Sequence, residues 1–140
     1  MEPLKFEDLP AQALLLVDSA PIIYFLEAHP KFAPRFRPLF EAHAAGLLRL
    51  AVTTITVAEV LTGPLQARDD ALARRYRAIL ESWRVVELDV DIADGAARLR
   101  ASLRLKLADA VQAASALAIN AVLVTHGRDF SRVRSLRVIA

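Results

Sequence analysis

The sequence has 140 residues, of which 55% are hydrophobic and 24% charged, and its mean hydropathy is +0.34. These values exclude a disordered chain and predict one globular domain that can bury its own core. The formal net charge is +2, so charge alone does not identify a nucleic-acid-binding protein. The chain contains no cysteine, which excludes disulfides, thiolate metal sites and cysteine nucleophiles and fits a reducing compartment.

The apolar fraction is high for a domain of this size, which predicts that a second subunit covers part of the surface. The longest apolar stretch, residues 113–124, is interrupted by Ser115 and Asn120 and is too short to span a bilayer. We therefore expect a soluble cytoplasmic oligomer with no membrane segment.

Short apolar runs alternate with amphipathic segments along the first half of the chain, the pattern of buried parallel strands separated by helices. N-cap residues and helix-breaking residues mark where the predicted helices begin and end. The predicted elements are a strand at 14–17, a helix capped by Ser19, a helix at 35–48, a strand at 50–52, and a helix that Thr54 or Thr56 caps and Gly63-Pro64 ends.

The second half continues the alternation and contains an alanine-rich helix that is apolar on nearly all faces. Its predicted elements are a charged helix at 69–82, a strand at 85–88, a helix opened by Asp91 and running to Leu103, the alanine-rich helix at 107–119, a strand at 121–124, a loop at 125–130 and an edge strand at 136–139. This order predicts a single domain over 1–140 with a three-layer α/β/α fold and a mostly parallel sheet of four or five strands.

Ligands of open parallel sheets bind beyond the carboxyl ends of the strands, and the polar residues predicted there are mostly acids. Asp18 ends the first strand, Glu59 follows the second, Asp109 opens the helix before the fourth, and Asp129 lies past the fourth. Taken singly, each has a structural explanation, as a helix cap, a solvated helix residue, an acid favoured by a helix dipole, or a turn residue.

The local sequence favours a shared role for Asp18, Glu59 and Asp109. All three lie among apolar residues, and no Lys or Arg is adjacent to any of them. Neighbouring carboxylates cannot all ionise unless a cation neutralises them, and an all-oxygen cluster suits Mg²⁺ or Mn²⁺. Such a site is suited to phosphodiester hydrolysis, because the metal activates water and offsets charge on phosphorus.

Several segments in chain order resemble the PIN-domain ribonucleases, in particular toxins of the VapC type. They are Leu-Leu-Leu-Val-Asp-Ser-Ala at 14–20, Thr-Ile-Thr-Val-Ala-Glu-Val-Leu-Thr-Gly at 54–63, Leu-Ala-Asp-Ala-Val-Gln-Ala-Ala-Ser-Ala-Leu at 107–117, Val-Leu-Val-Thr at 122–125 and Arg-Asp-Phe at 128–130. The resemblance implies a Mg²⁺- or Mn²⁺-dependent endoribonuclease that acts on RNA, forms a homodimer, and is held inactive by a cognate antitoxin whose C-terminal segment lies across the active site.

The resemblance also implies roles for individual residues. Asp18, Glu59 and Asp109 match the first three acids of the family. Gly127 stands where the family often has an acid or Asn, two residues after the threonine of the last motif. Asp129 precedes Phe130, as an acid often does in the family, and is the remaining candidate for a fourth metal ligand. Three roles are open to it: direct contact with the metal, contact through a water molecule, or a purely structural role.

Two other hypotheses remain open. Gly127 is compatible with a non-catalytic PIN-type domain that binds RNA or a protein. A response-regulator-like or phosphatase-like domain would use Asp18 as phosphate acceptor, but the neighbouring acids and late lysine of such sites are missing. The glycines form neither a dinucleotide-binding motif nor a P-loop.

The remaining polar residues have less specific interpretations. No histidine shows metal-ligand spacing, and we expect His126 to be a solvated loop residue. All but three of the 18 basic residues are arginine, which suits phosphate recognition, although a GC-rich genome gives the same bias. The candidate RNA contacts are Arg68, Arg74, Arg75, Arg77, Arg98, Arg100 and Arg104.

Overall fold

A computed structural model describes residues 2–127 and 129–140. Its centre is a sheet of five parallel strands in the order β3-β2-β1-β4-β5. The strands are β1 (Leu14–Val17), β2 (Arg49–Thr53), β3 (Arg84–Val86), β4 (Val122–Val124) and β5 (Val138–Ile139). The predicted parallel sheet is therefore confirmed, with β1 in its middle.

In the part of the chain that the structure describes, six α-helices connect the strands, and a 3₁₀ turn, Asp129–Arg132, follows β4. They are α1 (Ser19–Leu26), α2 (Ala33–Ala44), α3 (Thr54–Gln66), α4 (Asp70–Glu81), α5 (Val90–Leu103) and α6 (Leu107–Ala118). None of the helices within the described residues is long and apolar enough to cross a membrane.

The helices cover both faces of the sheet, because successive strand side chains point to opposite sides. Leu16 belongs to one core cluster, which it shares with α5 and α6. Leu15 and Val17 belong to the other, with side chains of α1 and α2 such as Ile22 and Phe36. The two cores confirm the expected three layers.

The order of the strands places a topological switch at the carboxyl end of β1. The chain proceeds from β1 to β2 and β3 on one side and then returns to place β4 on the other. Leu15 aligns with Leu50 of β2 and with Val122 of β4. The crossovers on the two sides of β1 run in opposite directions, and sheets with such a switch bind ligands in a crevice beyond the last residue of the strand.

Two predicted helix ends were wrong for identifiable backbone reasons. The helix predicted over 35–48 ends at Ala44, because Gly46 adopts a left-handed φ of 77°. The helix expected to end at Gly63-Pro64 continues to Gln66, since Pro64 is buried within it, and it stops before the left-handed Arg68. All five predicted strands were confirmed, β1 with the predicted bounds and the other four with bounds shifted by one or two residues; β3 ends before the exposed Leu88.

Candidate functional site

Asp18 lies at the carboxyl end of β1, where the strand passes directly into α1. Its backbone N–H still donates to the Val124 carbonyl at 2.8 Å, as a strand residue does. Its side chain already caps the helix, because Oδ1 accepts from the Ser19 N–H at 2.9 Å. The predicted cap, Ser19, was wrong by one residue, and its hydroxyl is thereby released for another contact.

Two further donors hold the Asp18 carboxylate. Gln112 Nε2 donates to Oδ1 at 2.9 Å, and the Thr125 hydroxyl donates to Oδ2 at 3.0 Å. Both donors are about 1% exposed, whereas Asp18 itself is half-buried. Charge-assisted bonds of this kind fix the carboxylate in one orientation, so Asp18 faces the crevice in a prepared position.

Glu59 reaches the same crevice from α3. The side chain that caps α3 is Thr53, which accepts from the Thr56 N–H at 3.1 Å, so the predicted caps Thr54 and Thr56 were wrong. Glu59 is exposed, and its Oε1 accepts from the Ser19 hydroxyl at 2.7 Å. Ser19 therefore connects Glu59 to the residue directly after Asp18.

Asp109 lies in the first turn of α6, where the helix dipole favours an acid. Burial raises its pKa above the usual 3.8, and the negative charges of Asp18, Asp129 and Glu59 raise it further, while Lys106 lowers it. The side chain is half-buried. Asp18, Glu59 and Asp129 are thus close enough to Asp109 to act on its carboxyl group electrostatically, although the four acids come from four different parts of the chain.

The segment after β4 brings Asp129 to the site. Asp129 is exposed and begins the 3₁₀ turn, and Arg128, which precedes it, lies outside the described residues. Gly127 donates its N–H to the Thr125 hydroxyl at 3.0 Å. A Cβ built at Gly127 would meet Thr125 Oγ at 3.6 Å, an ordinary contact, so a side chain at this position is sterically acceptable.

The acids form an open arrangement. Within residues 2–127 and 129–140, no three His, Asp or Glu side chains converge as a ready-made metal cage. Mg²⁺ is usually bound by one or two carboxylates and keeps several waters, in contrast to ions held in all-protein cages. The donors at this edge are all oxygens, and burial together with the charges of the other acids raises the pKa of Asp109. Such a set fits a hydrated Mg²⁺ or Mn²⁺ ion.

A buried polar network that was not predicted from the sequence lies behind the acids. Gln112, Thr53 and Thr56 are each about 1% exposed or less. Gln112 Oε1 accepts from the Thr53 hydroxyl at 2.7 Å, and Gln112 Nε2 donates to Thr56 Oγ at 2.7 Å. A glutamine in a largely apolar helix was the available signal, since a buried amide requires partners.

His126 is not the solvated loop residue that we expected. It is half-buried, and its ring packs edge-on against Phe32 and Tyr24, with centroid distances of 4.5 and 5.4 Å. Within the described part of the chain, its Nδ1 has no hydrogen-bond partner. The ring therefore ties the loop after β4 to α1 and to the start of α2.

Two of the seven arginines proposed as RNA contacts pair with acids on their own helices. Arg77 Nε lies 2.9 Å from Glu81, and Arg98 Nε lies 2.8 Å from Asp94. Both pairs are largely exposed, and such pairs contribute little to stability. The guanidinium groups are therefore available at the surface, and a role in RNA binding stays a prediction.

Comparison with known proteins agrees with the fold. The family model of the PIN domain matches residues 15–136. A toxin-antitoxin complex from Klebsiella pneumoniae has a similar structure, with a TM-score of 0.72 and 25% identity over 90% of this chain and 96% of that one. The sequence has no significant match among curated proteins.

Two further solved structures share the fold at lower identity. VapBC2 from Rickettsia felis, bound to a DNA fragment from its promoter, has a TM-score of 0.72 and 21% identity over 89% of this chain and 96% of that one. VapBC-1 from nontypeable Haemophilus influenzae has a TM-score of 0.71 and 24% identity over the same shares of the two chains.

Proposed function

The chain belongs to the PIN-domain family, and we propose that it is a Mg²⁺- or Mn²⁺-dependent endoribonuclease, the toxin of a toxin–antitoxin pair. The observation that carries the proposal is the 2.7 Å hydrogen bond by which Ser19, the residue after Asp18, holds Glu59 at the carboxyl end of β1. Burial raises the pKa of the nearby Asp109, and the charges of Asp18, Asp129 and Glu59 raise it further. Acids gathered at the carboxyl edge of a parallel sheet form a site that a divalent cation stabilises, because the cation neutralises their like charges.

In this proposal Asp18, Glu59 and Asp109 hold the cation, and Asp129 assists. A divalent cation supplies an activated water and offsets the charge that develops on the phosphate during hydrolysis. Gln112 and Thr125 keep the Asp18 carboxylate oriented toward the crevice. Ser19 orients Glu59 in the same way. The exposed Asp129 at the edge of the site can act directly or through water.

The partners follow from the same hypothesis. The solved structures described above include toxin-antitoxin complexes, so we propose that a cognate antitoxin binds this chain and covers the acids. We also propose a homodimer, because several large apolar side chains are exposed, among them Val90 at 83% and Leu107 at 58%. We propose a cytoplasmic location, because the proposed substrate is cellular RNA.

Cleavage of a mixed RNA pool tests the function. The purified protein should cut RNA with Mn²⁺ or Mg²⁺ and not with a chelator, and Asp109→Asn should abolish cutting because it removes one ligand charge without changing the shape. Asp91→Asn is a matched control, since Asp91 is also an acid in the first turn of a helix. Equal cutting by wild type and Asp109→Asn would disprove the assignment.

Gly127 supports one alternative, a PIN-type domain without catalytic activity that binds RNA or a protein. Its position provides no side-chain oxygen where the family often has one, so the cation site has one ligand fewer. Calorimetric titration with Mn²⁺ distinguishes the two functions. The nuclease should take up Mn²⁺ in a manner that depends on Asp109, whereas a binding domain that shows no Mn²⁺ uptake would favour the alternative.

A further inference from the structure

We propose that Gln112 is a positioning residue that orients two of the acidic side chains, Asp18 and Glu59, and thereby sets the affinity for the divalent cation. The inference rests on the proposed function of the site. It concerns a residue that does not contact the crevice itself, because Gln112 is 1% exposed and lies on α6 behind the acids.

The direct contact is with Asp18. Gln112 Nε2 donates to Asp18 Oδ1 at 2.9 Å and to Thr56 Oγ at 2.7 Å, while Oε1 accepts from the Thr53 hydroxyl at 2.7 Å. Both amide hydrogens and the carbonyl oxygen are therefore used. The side-chain amide cannot flip, because Oε1 would then face an oxygen of the Asp18 carboxylate.

The contact with Glu59 is indirect. Ser19 Oγ lies 2.7 Å from Glu59 Oε1 and 3.2 Å from Thr56 Oγ. A hydroxyl has one proton, and that of Ser19 belongs with the charged carboxylate at the shorter distance. The Thr56 hydroxyl is then left to supply the proton between the two hydroxyl oxygens. A chain of donors therefore leads from the Gln112 amide to Glu59.

The position of Gln112 on α6 couples these two acids to the third. Asp109 precedes Gln112 by three residues, and side chains with this spacing lie on the same side of a helix. One rigid helix thus presents Asp109 to the crevice and, one turn later, holds Asp18. Like charges favour separation of the acids, so buried donors are needed to keep them in place before a cation arrives.

Core packing alone does not explain this residue. The neighbours of Gln112 on α6 that are also buried include Val111, Ala113 and Ala116, and an apolar side chain would complete such a surface. Burial of an amide costs free energy unless its hydrogen bonds are replaced. Here they are replaced by a carboxylate and two hydroxyls, which indicates a role in organising the acids.

Calorimetric titration of the metal-free protein with Mn²⁺ tests the inference. Gln112→Met keeps an unbranched side chain and removes the amide, and we expect Mn²⁺ affinity to fall about 10-fold to 100-fold, the usual loss for a residue that supports a metal ligand. Gln66→Met is the matched control, because Gln66 is exposed at the end of α3, and it should bind Mn²⁺ like the wild type.

A second pair of variants keeps the test valid if Gln112→Met does not fold. The hydroxyl of Thr53 forms hydrogen bonds with Gln112, with the Thr56 hydroxyl and with the Thr56 N–H, and among the described residues it has none to an acid. Thr53→Val removes this hydroxyl at constant shape and should weaken Mn²⁺ binding by freeing the Gln112 amide. Thr53→Ser keeps the hydroxyl and should restore the affinity.

The outcomes separate this inference from the proposed function. One outcome would overturn the role of Gln112 and leave the cation site intact. In that outcome the wild type binds Mn²⁺, Asp109→Asn does not, and Gln112→Met and Thr53→Val bind it like the wild type. A wild-type protein that binds no Mn²⁺ would overturn both. Weaker binding in Gln112→Met and Thr53→Val, with normal binding in Gln66→Met and Thr53→Ser, supports the inference.

Discussion

Removal of the Thr125 hydroxyl should destabilise the protein. This hydroxyl donates to Asp18 Oδ2 at 3.0 Å and accepts from the Gly127 N–H at 3.0 Å, and Thr125 is 1% exposed. A hydrogen bond to a charged group contributes about 1.5–3 kcal/mol and a neutral one about 0.5–1.5 kcal/mol. Because Asp18 is half-buried and water can replace part of the lost bond, we expect Thr125→Val to cost about 2 kcal/mol.

Urea denaturation of the metal-free protein measures this cost. Thr125→Val keeps the shape of the side chain, so the loss should come from the two hydrogen bonds and not from a cavity. The same substitution in an Asp18→Ala background should cost less, because the charged acceptor is already gone and the two effects are not additive. A Thr125→Val variant as stable as the wild type would refute the claim that this hydroxyl supports Asp18.

Two further predictions concern the acids. The raised pKa of Asp109 means that the native metal-free protein binds a proton there more tightly than the unfolded chain does. The free energy of unfolding should therefore fall as the pH rises above 3.8 and through the raised pKa. The Asp109→Asn variant should not show the part of this fall that comes from Asp109. Identical dependence of the unfolding free energy on pH in wild type and variant, measured by urea titration, would contradict the assignment to Asp109. Gly127→Asp adds a carboxylate where a side chain is accommodated and should tighten Mn²⁺ binding measured by calorimetry; weaker binding would show that position 127 does not face the cation.

The sheet could be predicted from the sequence because its three central strands, β2, β1 and β4, are buried on both faces. Residues 14–17 form an uninterrupted apolar run, as a central parallel strand must. The order of the strands could not be predicted from such runs, since the register and partner of each strand depend on contacts across the fold. Helix ends were missed where one residue adopts a left-handed backbone, as Gly46 and Arg68 do.

The acids of the site could be predicted, whereas their support could not. Asp18, Glu59 and Asp109 are charged residues within apolar sequence, which is a local signal. The hydrogen bonds from Gln112 and Thr125 to Asp18 join residues 94 and 107 positions apart. Such contacts arise from the packing of α6 and β4 against β1, and no local pattern encodes them.

The cation site is tested most directly by an anomalous difference map from a crystal of the protein grown with Mn²⁺. The proposed function predicts a peak at the carboxyl end of β1, within coordinating distance of the Asp18 and Asp109 carboxylates. The same crystal of Asp109→Asn should lose or weaken the peak. A wild-type map with no peak beside these acids, at Mn²⁺ concentrations that support RNA cleavage, would contradict the account.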